Sequence, residues 1–295
     1  PAEKTELKLN IGRIPEIILD TTDRNRTSPF AFTGNRFEFR AVGSSANCAA
    51  PMIVLNAVVA CQLRHFKKEV DELIGRGIKK DEALFQVLKK LIVDSKPIRF
   101  NGNGYSREWV EEAERRGLSN VNNVPEALSA WLRPESVRLF TDLDILSERE
   151  LHGRVEVELE KFTKKIQIES RVLGDLAINH IVPVSVKYMT VLLENVSYLK
   201  EVFEAEEYEE LSAGRKSLIR EISLHNSTIK MLVSEMTEAR KNANVIEDSV
   251  EKAKAYSFKV LPFLDQIRYH IDKLEMVIDN EIWPLPKYRE LLFVR

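Results

Sequence analysis

Hydrophobic positions change period along this chain. Near the start they alternate. Glu6-Leu7-Lys8-Leu9-Asn10-Ile11 and Asn35-Arg36-Phe37-Glu38-Phe39-Arg40 each step polar to apolar with period two, and residues 14–19 form a short strand-like apolar run. Those segments predict strands. Residues 20–33 between them are polar, with Pro29 and Gly34 as punctuation, and predict a loop.

From Pro51 onward the period becomes helical. Met52, Leu55, Val58, Val59, Leu63, Phe66, Val70 and Leu73 lie at helix spacing, and Gly75 and Gly77 close the run. Asp81 is placed to cap a second helix with a stripe of Leu84, Val87, Leu88, Leu91 and Ile92. Residues 95–146 are more broken. They hold a turn cluster at 101–104, a short helix from Ser106 stopped by Gly117, and further pieces begun by Pro125 and Pro134.

Ser147 and Glu150 then make a capping-box pattern, and Leu151, Val155, Leu159, Phe162 and Ile166 open a long apolar stripe running toward Phe203. Pro183 is expected to kink or end it. Two more seams follow, from Leu218 through His225 to Ala243 and from Leu264 to Ile278, until Pro284 and Pro286 stop the last. The second half is therefore expected to be a bundle of long antiparallel helices.

Composition narrows the class. Charged residues are 31% of 295, while glycine and proline number only 11 each, which favours long solvated helices over a loop-rich β protein. Lys plus Arg is 44 and Asp plus Glu is 46, a net charge of −2 that gives no general pull toward nucleic acid or anionic lipid. Cys48 and Cys61 have neither metal-pair nor redox-pair spacing, so a reducing, cytoplasmic setting is expected. Residues 41–63 carry no charge, but their dense apolar part is shorter than the about 20 residues a bilayer requires. A buried helix without membrane contact is expected there. The chain opens Pro1-Ala2-Glu3 without an initiator methionine, as a processed product or part of something longer would.

The strand 35–40 is the most informative place for chemistry. Its pleat puts Arg36, Glu38 and Arg40 on one face, the two arginines roughly 13 Å apart with the carboxylate between them. Such a carboxylate can hold a divalent cation while guanidiniums grip anions on either side. An ordinary half-exposed strand carries charges in the same way. The preceding Asp23-Arg24-Asn25-Arg26-Thr27-Ser28-Pro29 adds two more arginines, whose forks suit phosphoryl oxygens.

Residues 23–45, DRNRTSPFAFTGNRFEFRAVGSS, resemble the C-terminal part of the glutamine synthetase catalytic domain, in particular the large bacterial type III branch. Residues 281–293, EIWPLPKYRELLF, resemble that branch's C-terminus. The resemblance implies an α+β fold overall, with this segment mainly α: a few N-terminal strands, then a long-helix bundle. Residues 1–146 would close the catalytic domain and residues 147–295 would be the type III helical assembly domain.

The implied reaction is ATP-dependent ligation of ammonia to glutamate through γ-glutamyl phosphate, with Mg²⁺ or Mn²⁺. Carried over residue by residue, Glu38 would ligate the metal nearer the γ-phosphate and Arg40 would hold the glutamate carboxylate. Arg36 would contact the nucleotide phosphates, and Arg26 would stabilise the transferring phosphoryl group. The family forms dodecamers of two stacked rings, which makes a homo-oligomer the expected partner state.

Two departures stand out. The better-known branches carry a further arginine where this chain has Ala31, and the gap to Arg36 is shorter here. The family's other metal ligands and its N-terminal domain are not matched, so the segment is expected to be inactive by itself. A competing reading is a non-catalytic helical interaction module. The five histidines show no metal spacing, and His225 in a seam reads as a polar register residue. Residues 101–104 read as a plain turn, and Cys61 as a small buried hydrophobe.

Overall fold

The computed structural model describes residues 47–100 and 102–292, together with four strand pieces: β1 (Glu6–Leu7), β2 (Ile17–Ile18), β3 (Phe30–Phe32) and β4 (Phe37–Phe39). The rest of the predicted strands and of the 20–33 loop lies outside the described residues.

The expected α+β fold is corrected to a mainly helical one, about four-fifths of the described residues being helix. Among the described residues the strand patterns are realised as two separate antiparallel pairs, β1 with β2 and β3 with β4, two or three residues long. Pairing and register depend on the partner strand, which alternation alone does not specify. β3 also falls inside the segment expected to be loop.

By contacts the chain parts into two compact units, residues 1–121 and 122–295. In the first, α1 (Ala49–Gly75) packs on α2 (Lys80–Asp94), with Val70, Ala83 and Val87 buried among Phe66, Leu73, Ile78, Leu84 and Leu91. The turn between them needs Gly77 at φ +87°. Lys79, not Asp81, occupies the cap position of α2, and Asp81 sits in its first turn. Leu88 and Ile92, expected in the α2 stripe, face outward.

The first half of α1 corrects a second expectation. It is exposed rather than buried, with Met52, Ile53, Val58, Val59 and Leu63 all accessible. By length and composition, α1 and the run of residues 148–202 are each apolar enough to cross a membrane. The second of these turns its apolar side to a protein core. α3 (Arg107–Arg115) follows, capped by Ser106 Oγ, which accepts from Trp109 N at 3.2 Å, and stopped at Gly117 with φ +75°.

The second unit starts with α4 (Val124–Ser129) and α5 (Pro134–Asp142), which pack on α6 (Glu148–Asp175). The change of pattern at Ser147 thus marks the start of a helix inside a compact unit. Leu128, Trp131 and Leu132 lie against Val155, Leu159 and Ala253. The Ser147–Glu150 capping box forms in both directions. α6 runs through a π turn, Leu176–Ile181, straight into α7 (Val182–Val202).

Pro183 explains that turn. It has no N–H to give the carbonyl four residues back, and its ring crowds that carbonyl; the helix widens instead of breaking. The same device recurs at α9 (Ser249–Ala255), where a π turn over Tyr256–Val260 leads into α10 (Leu261–Val277) just ahead of Pro262.

α8 (Ala205–Asn244) folds back on α7 after Phe203 and Glu204, and packs against α10 on its other side. The core joins Ile166, Ala177 and Ile181 to Ile222, Ile229, Leu232 and Met236, and to Tyr256, Ile267, Ile271 and Leu274. The two seams read from the sequence are the ones that pack. α11 (Tyr288–Leu291) ends the described chain.

Candidate functional site

Glu38 is the middle residue of β4, half-buried. The register pairs Phe30 with Phe39, Ala31 with Glu38 and Phe32 with Phe37. Position 31 is therefore directly across the ladder from Glu38, at the distance where facing residues interact most strongly. An arginine there would be the carboxylate's immediate cross-strand neighbour; alanine brings no charge to that place. Arg26, Arg36 and Arg40 lie outside the described residues.

A hard divalent ion takes about six or more oxygens. Among the described residues no three His, Cys, Asp or Glu side chains come together as a metal site. Glu38 thus suits one ligand position and does not complete a site with the residues described.

One cluster escaped the sequence reading. His225 on α8 and His270 on α10 bring their Nδ1 atoms to 2.8 Å. Glu221 Oε1 lies 3.9 Å from His225 Nε2, and the Tyr269 ring meets His270 edge-on. Burial, with the His225 ring as a second cause, pushes the His270 imidazole below its ordinary range. A spacing of 45 residues gave no local signal; only the pairing of two seams brings the rings together.

Residues 83–200 match the family described as the glutamine synthetase C-terminal domain. Over its whole length the chain is 64% identical to a glutamine synthetase of Bacteroides fragilis (strain YCH46). The chain belongs to the glutamine synthetase family. It is also 33% identical, over 98% of its length, to the type-3 glutamine synthetase of Dictyostelium discoideum, and 32% identical, over 93%, to a glutamine synthetase of Butyrivibrio fibrisolvens. It spans 40%, 39% and 38% of those three glutamine synthetases, respectively. The matched C-terminal domain begins in α2 and ends in α7, so it includes parts of both compact units.

Proposed function

We propose that this chain is the C-terminal part of a type III glutamine synthetase. The complete enzyme, a glutamate–ammonia ligase, would phosphorylate glutamate with ATP and let ammonia displace phosphate to give glutamine. The observation that carries this is 64% identity to a glutamine synthetase sustained over all 295 residues. Identity of that extent covers the 23–45 motif as well as the helices.

In this reading Glu38 would supply one oxygen ligand to the divalent ion that the reaction uses with ATP. When bound, that ion would neutralise phosphate charge as transfer proceeds. Arg36 would bind the nucleotide phosphates, Arg26 would hold the phosphoryl group in transit, and Arg40 would anchor the glutamate carboxylate through a two-point guanidinium contact. Residues 1–146 would complete the catalytic domain, and residues 147–295 would serve assembly into a cytoplasmic homo-oligomer of two stacked rings. That is a division of labour rather than of packing.

Replacing Glu38 with Ala in the full-length protein tests the assignment. Mn²⁺-dependent glutamine formation is expected to fall by about a hundredfold or more, because a lost ligand weakens both metal binding and transition-state charge compensation. The melting temperature should stay unchanged, since the side chain is half-exposed. Turnover at the wild-type rate would reject the metal-ligand role.

A further inference from the structure

In the first unit the turn after α2 and the end of α3 border an open cleft of about 760 Å³, lined by Val93, Lys96, Pro97, Arg99 and Arg116. That volume suits a small molecule. Three of the five lining residues are cations and none is acidic.

The two guanidiniums are held from behind. Arg116 Nε donates to Glu112 Oε1 at 2.6 Å, and its Nη1 donates to the carbonyls of Pro97 and Arg99, both at 3.1 Å. Arg99 Nη2 donates to the Ile92 carbonyl at 2.8 Å. A guanidinium has five N–H donors, so each arginine is fixed in place and keeps others to spare. The Arg116 guanidinium also lies 5.4 Å over the Trp109 ring, which stacks on Phe100 at 3.9 Å. Gly102 permits that stack, because a Cβ there would come within 2.5 Å of Phe100 Cζ.

Charge bookkeeping identifies the ligand class. Glu112 is bonded to both Arg115 and Arg116, at 2.6 Å each. The Lys96 ammonium has no hydrogen bond or ion pair among the described residues, and the Arg99 guanidinium meets only a carbonyl. Two positive charges are left without a carboxylate. A phosphate monoester near neutral pH carries about −1.5 to −2.

We propose that this cleft binds a small soluble phosphate-bearing anion between Lys96 and Arg99, with Arg116 as a fixed third donor. The site uses none of the residues assigned to ligation. Arginines that merely cap helix-end carbonyls would account for the main-chain bonds, but they predict no saturable ligand and no role for Lys96.

The test is isothermal titration of the full-length protein with inorganic phosphate, at ionic strength held constant with chloride, and with acetate as a monoanion control. Wild type should show a saturable phosphate site that Lys96→Glu weakens about tenfold or more, the loss expected of a charged hydrogen bond. Acetate should bind that site more weakly. Thermal melting checks the fold of the variant, and Lys96→Met, which removes only the charge, replaces it if Lys96→Glu melts early. A phosphate isotherm unchanged by the substitution, or acetate binding as tightly as phosphate, would overturn the proposal.

Discussion

His225 and His270 show how much a single pair of rings can set. With Nδ1 atoms 2.8 Å apart, one ring must donate and the other accept, which requires at least one neutral imidazole. Glu221 Oε1 lies 3.9 Å from the far ring nitrogen of His225. Protonating both rings would place two cations against each other across the α8–α10 seam, and Asp265 and Tyr269 nearby offer no direct ion pair. His270 is held below its usual pKa, by burial first and by its neighbour second.

The unfolded chain therefore takes up protons at a higher pH than the folded one. Stability from this group is fully present above about pH 6.5 and is lost as pH falls toward the depressed folded value. The melting temperature should drop as pH is lowered through about 6.5. His270→Asn, which keeps an amide near the Nδ1 position, should flatten that slope. An equal slope in the variant would show that acid acts elsewhere. The sequence held both histidines in plain view, yet nothing local announces a partner 45 residues away.

At the scale of elements, legibility followed the range of the forces. Caps, glycine stops and apolar stripes depend on neighbours within a turn or two, and several came out as read: the Ser147–Glu150 box, the stops at Gly77 and Gly117, and the α8 and α10 seams, though not the Asp81 cap or the outward-facing Leu88 and Ile92 of α2. Strands depend on a partner, and among the described residues the alternation around Phe37 and Phe39 forms a three-residue ladder. The candidate site was legible as a motif, since charge and spacing are written in sequence. The cross-strand relation between Glu38 and position 31 was not, because register belongs to the pair of strands.

α6 gives a test of the local kind. Ser147 Oγ accepts from Glu150 N at 3.3 Å, while Glu150 returns a bond to Ser147 N at 2.8 Å. Ser147→Ala should destabilise the second unit by about 1 kcal/mol in chemical denaturation. The same loss in a Glu150→Ala background would mean that the box does not act as a unit.

For the molecule as a whole, α6 and α7 carry exposed apolar side chains at helical spacing. On α7, Val191, Tyr198 and Val202 are 57%, 61% and 74% accessible and share a face by their spacing. On α6, Ile168 and Val172 stand out one turn apart, 61% and 52% accessible. Stripes of this kind mark surfaces covered by a partner, and in the proposed function the partner is another copy. Val191→Glu with Tyr198→Glu should lower the sedimenting mass of the full-length protein while leaving its helical circular dichroism unchanged. An unaltered mass would move assembly to other surfaces.

The two π turns bear on every one of these faces. Each takes one more residue into its ring than an ordinary turn, so the stretch after it emerges rotated relative to an unbroken helix. Excising a single residue at either place would swing the downstream segment by about 100° about its own axis. Pro183 and Pro262 thus fix the phase between the two ends of each long rod, and with it which side chains look inward and which outward.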